Sequence, residues 1–270
     1  MEFFSMLERI IEITDPKEKI EHFNHFYENF QNLPFDHTAS SKVFEQPSYA
    51  SFCKVVDPKK VPRRKLGTKE GRAVLLHAVA HIEYSAIDLA LDAAYRFKSM
   101  PKEFYEDWLE VAQDECRHFL MIEALLQELG YRYGDFEVHR GLFDAAKATP
   151  HLLERMAVVP RYLEANGLDA NPKIIAKLER IGDRFSLEIA KALRVILEEE
   201  VGHVRKGDRW FRWACEKEGI EDVVECYFKI VERIYPGTRH SKQMLNIPMR
   251  QAAGFSCDEI KILAKEKIRC

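Results

Sequence analysis

Two Glu-x-x-His pairs are the residues of this 270-residue chain whose types and spacing best fit chemistry. Residues three apart on a helix lie on one face, so each pair presents a carboxylate oxygen and an imidazole nitrogen to the same point. A further glutamate precedes each pair, about one helix upstream. Four glutamates and two histidines, spread in this way over four helices, are the ligands of a pair of iron or manganese ions. The six residues are Glu83, Glu115, His118, Glu164, Glu200 and His203.

All four glutamates fall on the apolar faces of their helices. Apolar residues recur at three-and-four spacing around Glu83, Glu115 and Glu200, and Glu164 shares a face with Met156. Burying a carboxylate without a compensating charge costs several kcal/mol, and two divalent cations neutralise four such groups. Oxygen and nitrogen donors suit iron or manganese, whereas thiolates would have indicated zinc or an iron–sulfur cluster. The pattern therefore predicts a centre of two Fe ions, with Mn as the alternative metal.

A single Glu-x-x-His is common in helical proteins and is usually solvated. Two pairs on apolar stripes, each with its upstream glutamate, favour metal ligands over core polar residues that are satisfied by hydrogen bonds. Glu164 has the least defined position, because Pro160 is expected to kink its helix. Glu188 on the next helix remains the alternative ligand.

Helical periodicity predicts an all-α fold, a four-helix bundle with extra N- and C-terminal helices. We expect a helical arm and wrapping loop at 1–67, the bundle at 68–218 and a helical cap at 219–270, all in one structural unit. Expected breaks lie at Asp15-Pro16, Gly167 and Gly182-Asp183. The predicted helices cover two segments within 1–30, then 69–98, 101–129, 150–166, 172–217 (broken at 182–183), 221–234 and a short helix after Ser256.

Composition narrows the classes of partner. A formal charge of −3 gives no global reason to expect nucleic acid or membrane binding, and no apolar run approaches the roughly 20 residues that span a bilayer. The six cysteines form no C-x-x-C motif and suggest reduced thiols in a cytoplasmic protein. A basic cluster at 54–65 fits a solvated loop, with phosphate contacts to nucleic acid as the alternative.

Several segments closely resemble the ferritin-like family DUF455. They include DECRHF, AVVPRYLEANGLDANP, EEEVGHVRKGDRWFRWACE and RQAAGF, and the likeness runs from about residue 62 to 265. The resemblance implies a ferritin-like di-iron fold in which the six residues above match the ligand pattern, but it implies no reaction. The layout is more distantly similar to the di-iron hydroxylase of isopentenyl-type modified adenosines in tRNA, as an analogy of fold and site.

The expected function is that of an O2-dependent oxidoreductase that hydroxylates an organic substrate, either a small molecule or a modified nucleotide. The electron donor is unidentified, and a homodimer is expected. Two other functions stay open: iron binding or detoxification without an organic substrate, and a metal-stabilised interaction protein. Arg161 and Arg205 are hypothesised to line a substrate entrance, and His77 and His81 are expected to be packing or surface residues.

Overall fold

The computed structural model describes residues 2–38, 40–62, 65–240 and 244–264. These residues form helices and connecting loops without a strand, and an isolated bridge joins Val55 to Val138. The prediction of an all-α fold is confirmed. The chain divides into two compact units, Met1–Phe143 and Asp144–Cys270. The predicted division into arm, bundle and cap stays a prediction.

The N-terminal unit is built on two long helices that pack against each other. Helix α3 begins after Thr68, whose hydroxyl accepts a hydrogen bond from the Gly71 N–H, and a five-residue link leads from it to α4. Because long helices joined by so short a link can pack along their length only in opposite directions, they form an antiparallel hairpin. The helices of this unit are α1 (Phe3–Glu12), α2 (Pro16–Asn29), α3 (Lys69–Arg96) and α4 (Lys102–Glu128).

A buried lysine fastens α2 to this hairpin. The Lys19 side chain is fully buried, where it pairs with Asp88 of α3 and donates a hydrogen bond to the Ile11 carbonyl at 3.1 Å. The Ser48 hydroxyl of the following loop donates to the other Asp88 oxygen at 2.6 Å. The predicted break between α1 and α2 is confirmed, because the Asp15 carboxylate caps α2.

The C-terminal unit consists of short helices around one long helix. A short helix, α5 (Gly141–Lys147), lies between the predicted helices 101–129 and 150–166 and begins before the unit does. The unit continues with α6 (Leu152–Val158), a π-helical turn at Val159–Glu164, α7 (Ala165–Ile181), α8 (Arg184–Lys217), α9 (Val223–Ile234), α10 (Ile247–Ala252) and α11 (Cys257–Leu263). We call Val159–Glu164 the π-turn.

The predicted helix end near Gly167 and restart at Pro172 are wrong, because α7 runs through both residues. Proline lacks the N–H that would bond the carbonyl four residues earlier, which belongs to Leu168. The side-chain amide of Asn246 donates to that carbonyl at 3.3 Å instead, so the helix continues without an unsatisfied acceptor. The predicted break at Gly182-Asp183 is confirmed: Gly182 has a left-handed backbone (φ +74°), and Asp183 caps α8.

Two composition-based expectations need comment. Helix α3 is long and apolar enough to cross a membrane, but 83% of its most apolar window is buried within the protein, as in the core helix of a soluble protein.

Cys53, Cys116, Cys215 and Cys226 are free thiols, whereas Cys257 is bonded in a disulfide. The prediction of six reduced cysteines is therefore wrong for Cys257, because spacing in the sequence does not reveal which cysteines a fold brings together.

Candidate metal centre

Three of the six predicted ligands form a buried cluster in the N-terminal unit. Glu83 lies in the middle of α3, and Glu115 and His118 lie one turn apart on α4. The His118 Nδ1 atom is 3.2 Å from a Glu83 oxygen and 3.4 Å from a Glu115 oxygen. One potential ligand atom from each residue lies within 4.8 Å of the others, which is close enough for all three to bind one ion. None of the three side chains is more than 4% exposed.

The charges of this cluster explain why it suits a cation. Burial, together with the nearby charge of Glu115, raises the pKa of Glu83 to about 8. Burial lowers the pKa of His118, but hydrogen bonds to Glu115 and Glu83 outweigh it and raise the pKa to about 11. The two buried carboxyl groups therefore resist ionising together unless a positive charge lies between them. Without a metal, a protonated imidazole supplies that charge.

The other three predicted ligands lie in the C-terminal unit. Glu200 and His203 are one turn apart on α8 and are 7% and 1% exposed, with His203 Nδ1 3.8 Å from a Glu200 oxygen. Glu164 is the last residue of the π-turn. It is half-buried, and its Oε2 atom is shielded from solvent. This unit thus repeats the ligand types of the N-terminal cluster: one glutamate and one Glu-x-x-His pair.

The π-turn replaces the simple kink predicted at Pro160. A π-helical turn holds one more residue than an α-helical turn, so it shifts the direction of every side chain that follows it. Pro160 is its second residue and has no N–H to donate. Short π-helical segments occur frequently at functional sites. The sequence showed that the helix phase changes before Glu164, but proline alone does not specify a π-turn.

Glu188, the alternative ligand, takes part in a surface ion pair. Its carboxylate lies 2.9 Å from the Arg184 guanidinium one turn earlier on α8, and its side chain is 36% exposed. A half-exposed glutamate with an arginine partner has no need of a metal for charge compensation. This position favours Glu164 over Glu188, although the assignment of Glu164 as a ligand stays a prediction.

The hypothesis that Arg161 lines a substrate entrance is wrong, because its side chain is completely buried in the C-terminal unit. Sequence reasoning missed its role, because a single sequence does not show which distant carboxylates an arginine contacts. Arg205 is exposed and donates to the Ala252 carbonyl at 2.8 Å.

The expectation that His77 and His81 are packing or surface residues is confirmed. Both are buried, and burial lowers their pKa values to about 4. Neutral His77 accepts a hydrogen bond from the Gly134 N–H at 2.9 Å, and His81 binds the Tyr133 hydroxyl and the His139 carbonyl. They fasten the loop after α4 to α3.

A cavity of about 690 Å³ lies in the N-terminal unit. On α4 it is lined by residues such as Leu120 and Glu123. Glu83, Glu115 and His118 are not among the residues that line this cavity.

The basic cluster at 54–65 is only partly described. Lys54 forms an exposed ion pair with Glu137 at 3.1 Å, and Lys59, Lys60 and Lys65 are exposed. Arg63 and Arg64 lie outside the described residues. Exposed lysines fit a solvated loop, and nucleic acid binding by this loop stays a hypothesis.

Comparisons with known proteins bear on the identity of the chain. Residues 12–261 match the model of a family described as "Protein of unknown function (DUF455)". An "Uncharacterized protein" of Haemophilus influenzae is 38% identical over 278 residues, which cover 96% of this chain and 92% of that protein. No solved structure matches the chain. The family match and the similarity to this relative extend over most of the chain, which therefore belongs to the DUF455 family.

Proposed function

We propose that the two ligand sets bind two iron or manganese ions and that the protein uses them to oxidise an organic substrate with O2. The buried cluster of Glu83, Glu115 and His118 is the observation that carries this proposal. Two glutamates and one histidine, enclosed by apolar helix faces, are a costly arrangement unless a cation compensates them.

The donor atoms suit these metals in type as well as in charge. Carboxylate oxygens and a neutral imidazole nitrogen are preferred by Fe and Mn, and the cluster of Glu83, Glu115 and His118 includes no cysteine. Each unit offers the same three residue types, so one ion for each set is the simplest stoichiometry. When bound, such metals supply the reduction of O2 that oxidation of an organic substrate requires.

The residues themselves have separate tasks in this proposal. The glutamate and the histidine of each Glu-x-x-His pair are one turn apart on a helix, which fixes the spacing between them. Glu83 would complete the first ligand set and Glu164 the second. The apolar side chains beside the N-terminal cluster, among them Ile87 and Ile122, are buried and would keep bulk water from the ligands. A neutral histidine is required for binding, so the proton held by His118 would leave when a metal enters.

Iron detoxification without an organic substrate is the second candidate, because it would use the same ligands. The cytoplasm is the proposed location, and a small molecule or a modified nucleotide is the proposed class of substrate. The electron donor is to be identified, and a homodimer is the proposed assembly.

Oxygen uptake separates the two candidates. The protein is loaded with Fe(II) under anaerobic conditions and then mixed with O2, alone and with candidate substrates that include tRNA carrying modified adenosines. An oxidase of organic substrates should consume O2 over many turnovers only when substrate and a chemical reductant are present, and Glu115→Ala should fall to the rate of free Fe(II). O2 uptake that stops once the bound iron is oxidised, whatever compound is added, would favour detoxification.

A further inference from the structure

Arg161 is a charged residue with no access to solvent. It lies in the π-turn, three residues before Glu164. Its Nε is 2.8 Å from an Asp208 oxygen, and one of its terminal nitrogens donates to Glu259 at 2.7 Å. A guanidinium can contact two carboxylates at once because its donors point in fixed directions within one plane. The π-turn is thereby fastened to α8 and α11 by charge.

Aromatic rings enclose the same guanidinium. The ring centres of Phe211, Tyr227 and Phe255 lie 4.8, 4.4 and 4.8 Å from its central carbon. Cation–π attraction is strongest where water is excluded, as it is here. The Tyr227 hydroxyl also donates to the backbone carbonyl of Arg161 at 3.1 Å. Both the side chain and the backbone of this residue are therefore held.

Glycine at two positions allows the elements around Arg161 to pack closely against one another. A Cβ atom on Gly207 of α8 would lie 2.4 Å from the Pro160 ring, so only glycine lets α8 pack this closely against the π-turn. A Cβ on Gly254 would lie 2.5 Å from an Asp208 oxygen, and the φ of Gly254 is +102°. Gly207 is one turn beyond His203 on the same helix, so this contact joins the π-turn to the part of α8 that carries two candidate ligands.

We propose that Arg161, Asp208 and Glu259 are positioning residues that hold the π-turn so that the Glu164 carboxylate faces the metal ligands of its own unit. This inference rests on the proposed function. A π-turn exchanges regular helical hydrogen bonds for poorer ones and persists only when its surroundings favour it. Three features stabilise the π-turn relative to a regular helix: the buried ion pairs, the aromatic rings and the Pro160–Gly207 contact. Helix α11 would then belong to the metal centre without providing a ligand.

A pair of arginine-to-lysine variants tests the proposal by Mn(II) binding, followed by EPR. Arg161→Lys keeps the charge but cannot contact Asp208 and Glu259 with the same planar group. Arg155→Lys is the matched control: Arg155 is also buried, on α6, where it donates to the Ala146 carbonyl and the Thr149 hydroxyl. We expect one of two Mn(II) ions to bind about tenfold more weakly to Arg161→Lys, with a changed EPR line shape, and the control to match the wild type.

The outcomes separate this inference from the proposed function. Wild-type protein that binds no Mn(II) or Fe(II) would contradict both. Wild-type protein that binds two ions, together with Arg161→Lys that binds them with unchanged affinity and line shape, would overturn the positioning role alone. If Arg161→Lys fails to fold, Gly207→Ala decides the question, with Gly202→Ala as control because a Cβ there meets nothing within 4 Å. Weaker Mn(II) binding in Gly207→Ala than in Gly202→Ala supports the role, and equal binding overturns it.

Discussion

Mn(II) bound at the cluster of Glu83, Glu115 and His118 is expected to raise the free energy of unfolding by about 4 kcal/mol at a concentration 1,000 times the dissociation constant of this site. The physical reason is that folded protein presents ligands in place, whereas the unfolded chain separates Glu83 from Glu115 and His118. The same reasoning predicts that Glu115→Gln abolishes most of this stabilisation. Without metal, Glu115→Gln should be less stable than the wild type, because the substitution removes one of the two acidic partners of the protonated His118.

Thermal unfolding with and without Mn(II) provides the measurement. Glu110→Gln is the control, since Glu110 lies on the exposed face of the same helix, α4. We expect the control to keep the full metal-dependent rise in melting temperature. Equal rises in Glu115→Gln and in Glu110→Gln would mean that Mn(II) binds elsewhere.

Replacing Arg161 with methionine is expected to lower the free energy of unfolding by about 3–5 kcal/mol. The substitution leaves Asp208 and Glu259 buried beside each other, with Arg212 as the remaining nearby cation. Arg233→Met should cost less, at most about 1 kcal/mol, because the ion pair that it breaks with Glu154 lies at the surface. Urea unfolding of the two variants measures the difference. If both cost the same, charge compensation is not what stabilises the π-turn.

The loss of stability in Arg161→Met should depend on pH because of Glu259. Burial alone would raise the pKa of Glu259, but the charge of Arg161 and hydrogen bonds from Arg161 and Ser256 lower it. A carboxyl whose pKa is lowered on folding stabilises the protein above its unfolded pKa, and this contribution disappears as the pH falls through the folded value. Burial raises the pKa of the neighbouring Asp208, which gives a contribution of opposite sign. The wild type should unfold with a higher free energy than Arg161→Met. The part of this difference that comes from Glu259 should be complete at neutral pH and should decline below about pH 4.5.

The long helices and the candidate ligands were predictable because they depend on local patterns. Thr68 caps α3 and Asp183 caps α8, and apolar periodicity in the sequence predicts the buried faces on which Glu83 and Glu115 lie. Three-residue spacing similarly placed each Glu-x-x-His pair on one face.

The π-turn and the continuous α7 were not predictable, because they depend on residues far away in the chain. Pro172 is accommodated by Asn246, which is 78 residues from the Leu168 carbonyl that it satisfies. Arg161 is neutralised by Glu259, 98 residues further along. A single sequence shows each of these residues but gives no sign of which ones meet.

Metal content of the purified protein, measured after anaerobic loading with Fe(II), tests the proposed metal centre most directly. Wild-type protein should hold about two Fe or Mn ions per chain, one for each ligand set. The Glu115→Ala/Glu200→Ala double variant should lose them while its circular dichroism remains that of a folded helical protein. Wild-type protein that retains no metal after loading would show that the buried glutamates and histidines are structural, and the proposed oxidase function would then have to be abandoned.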